Sequence, residues 1–125
     1  MREVATNYKE LVVWKKTRVL IREIYQATGT FPAEERYGLT LQIRRAAISI
    51  SANIAEGFGR NSKGEFSQFS SIAYGSATEL EALIITSVDL GFMEQELSDS
   101  LLERVDEVLR MLNGLRQSLR NKVAA

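Results

Sequence analysis

The chain has 125 residues, about the length of one domain. It carries 16 basic and 16 acidic side chains, and 45% of its residues are hydrophobic. This balance is typical of a globular protein and excludes a disordered chain, while no stretch approaches the roughly 18 apolar residues of a membrane span. The chain contains neither cysteine nor histidine, which excludes disulfides and thiolate catalysis and removes the commonest metal ligand and general base.

The beginning of the chain predicts its compartment and a first helix. Residues 1–4 lack the apolar core of a signal peptide, so we expect a cytoplasmic protein. Helix one is predicted at about 7–28, because Asn7 and Glu10 have the spacing of a capping box and apolar residues then recur every three to four positions. Gly29 ends this pattern.

Two further helices follow. Helix two is predicted at about 32–57, because Pro32 is tolerated in a first turn and the acidic residues after it complement the helix dipole. Ser62 and Glu65 have the spacing of a second capping box, which opens helix three at about 62–90.

Helix four is predicted at about 94–121, after a stop at Gly91. Its apolar residues form the clearest heptad of the chain: Leu101, Val105, Val108, Leu112, Leu115 and Leu119. Because four amphipathic helices with short connections pack as antiparallel neighbours, we predict an all-α fold: an up-down-up-down four-helix bundle in one domain, residues 1–125.

Three glycines fall inside the predicted helices. Gly38, Gly75 and Gly114 each cost about 1 kcal/mol relative to alanine in a helix interior. We therefore expect them to mark places where two helices approach closely.

The zero net charge conceals a segregation along the sequence. Residues 65–99 contain seven acidic residues and no lysine or arginine, so the remainder carries 16 basic against nine acidic residues. Complementary patches of this kind favour head-to-tail self-association, which gives a closed ring when the rotation closes.

Basic residues of helix one, of the glycine-rich connection 57–64 and of helix four are candidates for contacts with nucleic-acid phosphates. They are Lys9, Lys15, Lys16, Arg18, Arg22, Arg60 and Lys63, with Arg104, Arg110, Arg116, Arg120 and Lys122 in helix four. The connection 57–64 also suits an anion at a helix N-terminus, although a helix stop, a loop and a cap explain it more simply. The alternative for all these cations is an ordinary solvated surface.

Six polar residues are embedded in the apolar parts of helices two and three, at spacings that place them on facing stripes. They are Arg45, Ser49, Asn53, Glu56, Ser76 and Glu79. Because an unpaired buried charge is costly, we expect an Arg45–Glu79 ion pair and a structural network that fixes helix pairing. Iron-binding bundles need a Glu-x-x-His motif, so a di-iron site is excluded.

Five segments carry a resemblance to a known family. They are Tyr8-Lys9-Glu10-Leu11-x-Val13-Trp14, Phe31-Pro32-x-x-Glu35, the block from Gln42-x-x-Arg45-Ala46 to Asn53-Ile54-Ala55-Glu56-Gly57, Gly75-Ser76-x-x-Glu79-Leu80, and Met111-Leu112-Asn113-Gly114-Leu115. Together they resemble the four-helix bundle proteins encoded in 23S rRNA intervening sequences, over nearly the whole chain. The resemblance implies a left-handed bundle assembled as a cyclic homopentamer, a role in binding nucleic acid, and kinship with the accessory variability proteins of diversity-generating retroelements.

Three functions remain open. The first is a non-enzymatic homo-oligomer that binds structured RNA or DNA through basic helix faces. The second is a scaffold or adaptor whose partner is another protein. The third is an enzyme, for which Arg45, Glu56 and Glu79 are the candidates. The sequence indicates no cofactor, metal, membrane partner or small-molecule substrate.

Overall fold

The computed structural model describes the backbone of residues 5–124 and the side chains up to residue 121. This part contains four α-helices and no strand, which confirms the predicted all-α class. The helices are α1 (Val12–Thr28), α2 (Leu39–Phe58), α3 (Lys63–Asp89) and α4 (Gln95–Ala124), with short 3₁₀ turns at Tyr8–Glu10 and Ala33–Glu35. No helix of the described part is long and apolar enough to cross a bilayer.

The first helix starts later than the sequence predicts. Asn7 caps the 3₁₀ turn and not an α-helix, because its Oδ1 accepts a hydrogen bond from the Lys9 N–H at 2.9 Å. Leu11 then has an extended backbone, with φ −69° and ψ 127°, and α1 begins only at Val12. The predicted start at residue 7 is therefore wrong, since the cap belongs to a separate short turn.

The second helix also starts later than predicted. Pro32 opens a 3₁₀ turn, and Gly38 then takes a non-helical backbone with φ −109° and ψ −115°. The Glu35 Oε1 accepts the Leu39 N–H at 3.0 Å and satisfies a free donor of the first turn. Gly38 is thus the residue before α2, and does not lie inside it.

The ends of α3 use the residues that the sequence marks. The Ser62 Oγ accepts the Glu65 N–H at 3.1 Å and caps the N-terminus. At the other end Gly91 has a φ of 79°, and the Phe92 N–H donates to the Ser87 carbonyl at 2.9 Å. This is a Schellman ending, in which glycine supplies the left-handed conformation that other residues rarely adopt.

The apolar stripes of the four helices meet in one core. α1 packs against α2 and α4, and α3 packs against the same two helices. The heptad of α4 faces this core: Leu101, Val105, Val108, Leu112 and Leu119 are buried, and Leu115 is half-buried. Opposite them lie fully buried isoleucines and leucines of the other three helices, such as Leu20, Ile50 and Leu80.

One glycine marks a close approach between helices, but it is not one of the three predicted. A Cβ on Gly57 would lie 2.6 Å from the Phe69 Cβ and 2.9 Å from the Phe66 Cδ1, so α2 and α3 touch at this glycine. A Cβ on Gly75 or Gly114 would meet no atom within 4 Å. The expectation for these two glycines is wrong within the protomer, because both lie on outward-facing positions of their helices.

Candidate nucleic-acid interface

Three basic residues form an exposed strip on α1. Lys15, Arg18 and Arg22 stand at i, i+3 and i+7, which places them on one face of the helix. Within the described residues, none of the three forms an ion pair with a carboxylate. The Arg18 guanidinium lies over the Trp14 ring, 5.8 Å from its centroid. The strip therefore presents cations that are free to meet an anion.

A groove lies beside this strip, where α1, the connection after it and α2 meet. It has a volume of about 660 Å³ and is lined by three arginines, Arg36, Arg44 and Arg45, with Tyr25 and several apolar side chains. No carboxylate belongs to its lining. The groove therefore combines positive charge with an apolar floor, a combination that suits an anionic group attached to a flat apolar ring.

Arg44 is held in place in this groove. Its Nε donates to the Thr28 Oγ1 at 2.8 Å, and its guanidinium also donates to the Tyr25 carbonyl at 3.3 Å. The guanidinium lies 4.4 Å from the centroid of the Tyr25 ring, close enough for a cation–π contact. Thr28 is itself buried and its hydroxyl donates to the Ile24 carbonyl at 2.8 Å. Arg44 is therefore anchored to a fixed position at the end of α1.

Other predicted cations are neutralised inside the protomer. Lys16 lies 3.5 Å from a Glu107 carboxylate oxygen, and Arg104 lies 2.7 Å from that of Glu23. Both pairs join α1 to α4 on the side away from the groove. Phosphate contacts by Lys16 or Arg104 would have to displace these carboxylates, so the two residues are weaker candidates than the α1 strip.

The glycine-rich connection after α2 holds a third cation that is paired with carboxylates. Arg60 lies 2.9 Å from Glu56 and 3.9 Å from Glu65, and its guanidinium covers the Phe69 ring at 4.8 Å. This arrangement ties the end of α2 to the start of α3. These contacts agree with the simpler interpretation of the connection 57–64, a helix stop followed by a loop and a cap. Lys63, the first residue of α3, is exposed.

The remaining predicted cations are scattered. Lys9 lies over the Tyr8 ring at 5.9 Å, Arg110 pairs with Asp106 at 3.1 Å, and Arg116 covers the Tyr74 ring at 3.9 Å. Arg120 is exposed near the end of α4, and the side chain of Lys122 lies outside the described residues. These positions do not extend the groove or the α1 strip.

The predicted polar network forms only in part. Ser49 and Ser76 share a hydrogen bond of 2.8 Å between their hydroxyls, and the Asn53 Nδ2 donates to the Ser49 carbonyl at 2.8 Å and its hydroxyl at 3.0 Å. Arg45 and Glu79 are instead exposed, and the described part contains no ion pair between them. The predicted pair is wrong for the protomer, since exposed charges stay hydrated and gain little from pairing.

Sequence reasoning missed Arg36 and Arg44 as interface residues and assigned Arg45 to the polar network. The signal that could have found them is local. Arg36 stands next to the aromatic Tyr37, and Arg44 stands next to Arg45 further along the chain. Basic residues interleaved with aromatic ones are typical of nucleic-acid surfaces. The Arg36 guanidinium lies 5.9 Å from the centroid of the Tyr37 ring, which is 82% exposed.

The described residues offer little for catalysis. They contain no group of three or more histidine, cysteine, aspartate or glutamate residues that could hold a metal ion. The pKa of the Glu10 carboxyl lies below its ordinary value, because the Thr6 hydroxyl and the Thr6 N–H donate to it at 2.8 and 3.0 Å. That contact ties Glu10, in the first 3₁₀ turn, to the residue before the Asn7 cap, so the shift has a structural cause and does not point to catalysis.

Four helices around one apolar core, with an exposed basic and aromatic face, define a small helical-bundle protein. The chain belongs to the family of 23S rRNA-intervening sequence proteins, whose family model matches residues 9–114. This confirms the resemblance seen in the sequence.

Comparison with solved structures supports the same fold. A protein of unknown function from the S23 ribosomal protein family of Bacteroides thetaiotaomicron has a TM-score of 0.76 and 23% identity. The match covers 84% of this chain and 98% of that protein. At this level of identity the likeness shows the fold alone. No curated protein matches the chain.

Proposed function

We propose that this protein is a non-enzymatic, cytoplasmic, homo-oligomeric four-helix bundle that binds structured RNA through the face formed by α1 and the start of α2. The observation that carries the proposal is a set of three arginine–aromatic pairs on that face whose guanidinium groups have no carboxylate partner within the described residues. The pairs are Arg18 with Trp14, Arg44 with Tyr25, and Arg36 with Tyr37.

Such pairs suit nucleic acid for two reasons. The Arg18 and Arg36 guanidinium groups lie over aromatic rings and keep their N–H edges free for bidentate hydrogen bonds to a phosphate. Arg44, in contrast, already donates to Thr28 and Tyr25 and contributes its charge and its flat face. The rings themselves can stack on unpaired bases. Together with Lys15, Arg22 and Arg45, the face carries six cations, none of which forms an ion pair with a described carboxylate, although the whole chain is neutral.

A salt titration tests this proposal. We expect the protein to bind a labelled 23S rRNA stem–loop, followed by fluorescence anisotropy, with an affinity whose logarithm falls linearly against the logarithm of salt concentration. If four to six phosphates are engaged, the slope should lie between about −3 and −5. Absence of binding even at low salt would contradict the proposal and leave the cations as a solvated surface.

The finer architecture belongs to the same proposal: an antiparallel, left-handed bundle assembled as a closed ring of five. The antiparallel course is supported by two sets of contacts between neighbouring helices. Gly57, late in α2, lies against the start of α3, while Ser49, earlier in α2, meets Ser76 further along α3. On α4, Glu107 meets Lys16 and the earlier Arg104 meets the later Glu23.

The outer face of α2 and α3 supports self-association. Ala52, Ile72 and Gly75 are exposed within about one turn of the Ser49–Ser76 hydrogen bond, and Ile72 is 51% exposed. Small and apolar residues let two helix surfaces approach closely. Glu79, exposed one turn further on α3, would meet a basic residue of a second copy, in keeping with the segregated charge of the chain.

We expect Ile72→Glu to dissociate the oligomer, because the substitution buries an unpaired carboxylate at the contact. Native mass spectrometry should then give a single chain of 14.0 kDa, where the parent protein gives five. Ile85→Glu is the matched control: Ile85 is 48% exposed but lies about 140° around α3 from Ile72. Equal masses for both variants would contradict the assignment of this face.

A scaffold that binds another protein is the second candidate, and the exposed Ile72 and Ala52 favour it. This reading predicts a monomer in solution, with binding that tolerates salt because the contact is apolar. The salt titration and the mass measurement separate the two functions.

A further inference from the structure

We infer that the groove between α1 and α2 binds one unpaired nucleotide of the RNA, with its base inside the groove and its phosphates at the rim. The inference rests on the proposed RNA-binding function and names the feature of the RNA that the protein would recognise.

The lining of the groove matches the two halves of a nucleotide. Leu41 and Ile48 are exposed and supply apolar surface for a flat ring, with the half-buried Pro32 beside them, and the volume of about 660 Å³ lies within the range of small-molecule sites. Arg36 and Arg45 are exposed and belong to the same lining, so their charged ends can reach phosphates beside the base.

The Arg44–Tyr25 stack supplies the platform for the base. Nucleic-acid bases stack on tyrosine rings and on arginine guanidinium planes alike. Arg44 is locked by the Thr28 hydroxyl and by a backbone carbonyl, which removes much of the entropy cost of ordering it when a base binds. Tyr25 is 40% exposed, so part of its ring remains accessible beside the guanidinium.

The position of the groove favours a nucleotide within a chain over a free one. Arg22 and Arg18 stand one and two helical turns before Tyr25 on α1, outside the groove. The backbone on either side of a bound nucleotide can therefore continue along the α1 strip. A base within a duplex cannot enter, because pairing and stacking hide its faces, so the groove selects an unpaired base.

The test compares two RNAs that differ in one nucleotide: a blunt duplex, and the same duplex with one 2-aminopurine bulged from one strand. We expect the protein to bind the bulged duplex about tenfold more tightly and to quench the 2-aminopurine fluorescence as the base stacks. Tyr25→Ala should remove both effects. Tyr25→Phe should keep them, since the ring is retained and the Arg44 bond uses the backbone carbonyl.

The outcomes separate the inference from the function on which it rests. Equal affinity for both duplexes, with the salt dependence intact, would overturn the inference and leave RNA binding standing. Displacement of the bulged duplex by micromolar adenosine monophosphate would overturn it too, because the groove would then be a free-nucleotide site. Failure to bind either duplex or the stem–loop would overturn the function itself.

Discussion

Replacing Gly57 with alanine is expected to destabilise the bundle, although alanine is the better helix former. The new Cβ would lie 2.6 Å from the Phe69 Cβ and 2.9 Å from the Phe66 ring. The Phe69 Cβ is attached to the backbone and cannot rotate away, so α2 and α3 would have to separate. Overpacking of this kind costs about 1–3 kcal/mol or more, which exceeds the gain of about 1 kcal/mol in helix propensity.

Thermal unfolding at a fixed protein concentration measures this effect. For a chain of this length we expect the Tm of Gly57→Ala to fall by about 4 °C for each kcal/mol lost. Gly114→Ala is the matched control: its Cβ would meet nothing within 4 Å, so the same substitution should be neutral or slightly stabilising. If the two variants have the same Tm, α2 and α3 do not touch at Gly57.

Local sequence signals predicted the helices well but not all of their starts. Periodicity identified four helices because each buries a single apolar stripe, and the heptad of α4 faces the core as predicted. The starts of α1 and α2 were placed too early, because capping residues and proline also open 3₁₀ turns. Whether Asn7 caps an α-helix or a short turn depends on Leu11, whose extended backbone no pattern revealed.

The contacts between helices were harder to predict than the helices. Gly57 ends an apolar run, so the sequence indicated a stop, and its packing against Phe66 and Phe69 follows from how α2 crosses α3.

Arg45 and Glu79 were predicted to lie on facing stripes of two helices, but they form no ion pair in the part of the chain that the structure describes. Both side chains are exposed, so water competes for their charges. Ion pairs within one helix, such as Arg110 with Asp106, follow from helical spacing, whereas ion pairs between helices depend on the fold.

The same limit applied to the candidate interface. In the sequence, Lys15, Lys16, Arg18 and Arg22 were equally candidate phosphate contacts, but Lys16 pairs with Glu107 of α4. Arg22 stands with Lys15 and Arg18 on the open strip. The sequence identifies the basic residues of helix one. Which of them are paired with a carboxylate depends on how α4 packs against that helix.

Neutralising the open strip is therefore expected to weaken RNA binding far more than neutralising paired cations. The variant Lys15→Gln, Arg18→Gln, Arg22→Gln removes three cations that have no described carboxylate partner. Each phosphate contact releases counterions, so three lost contacts should lower the affinity for the stem–loop about 100-fold at 0.1 M salt. The slope of the salt titration should become shallower by about two to three.

The control variant changes the net charge equally at cations that are already paired: Lys16→Gln, Arg104→Gln, Arg110→Gln. These residues lie 3.5, 2.7 and 3.1 Å from carboxylate oxygens, so their loss should leave the slope nearly unchanged. Any weakening in the control reflects long-range charge, which falls off beyond about 10 Å at this salt. If both triple variants lose affinity and slope alike, RNA responds to total charge, and the α1 strip is not the interface.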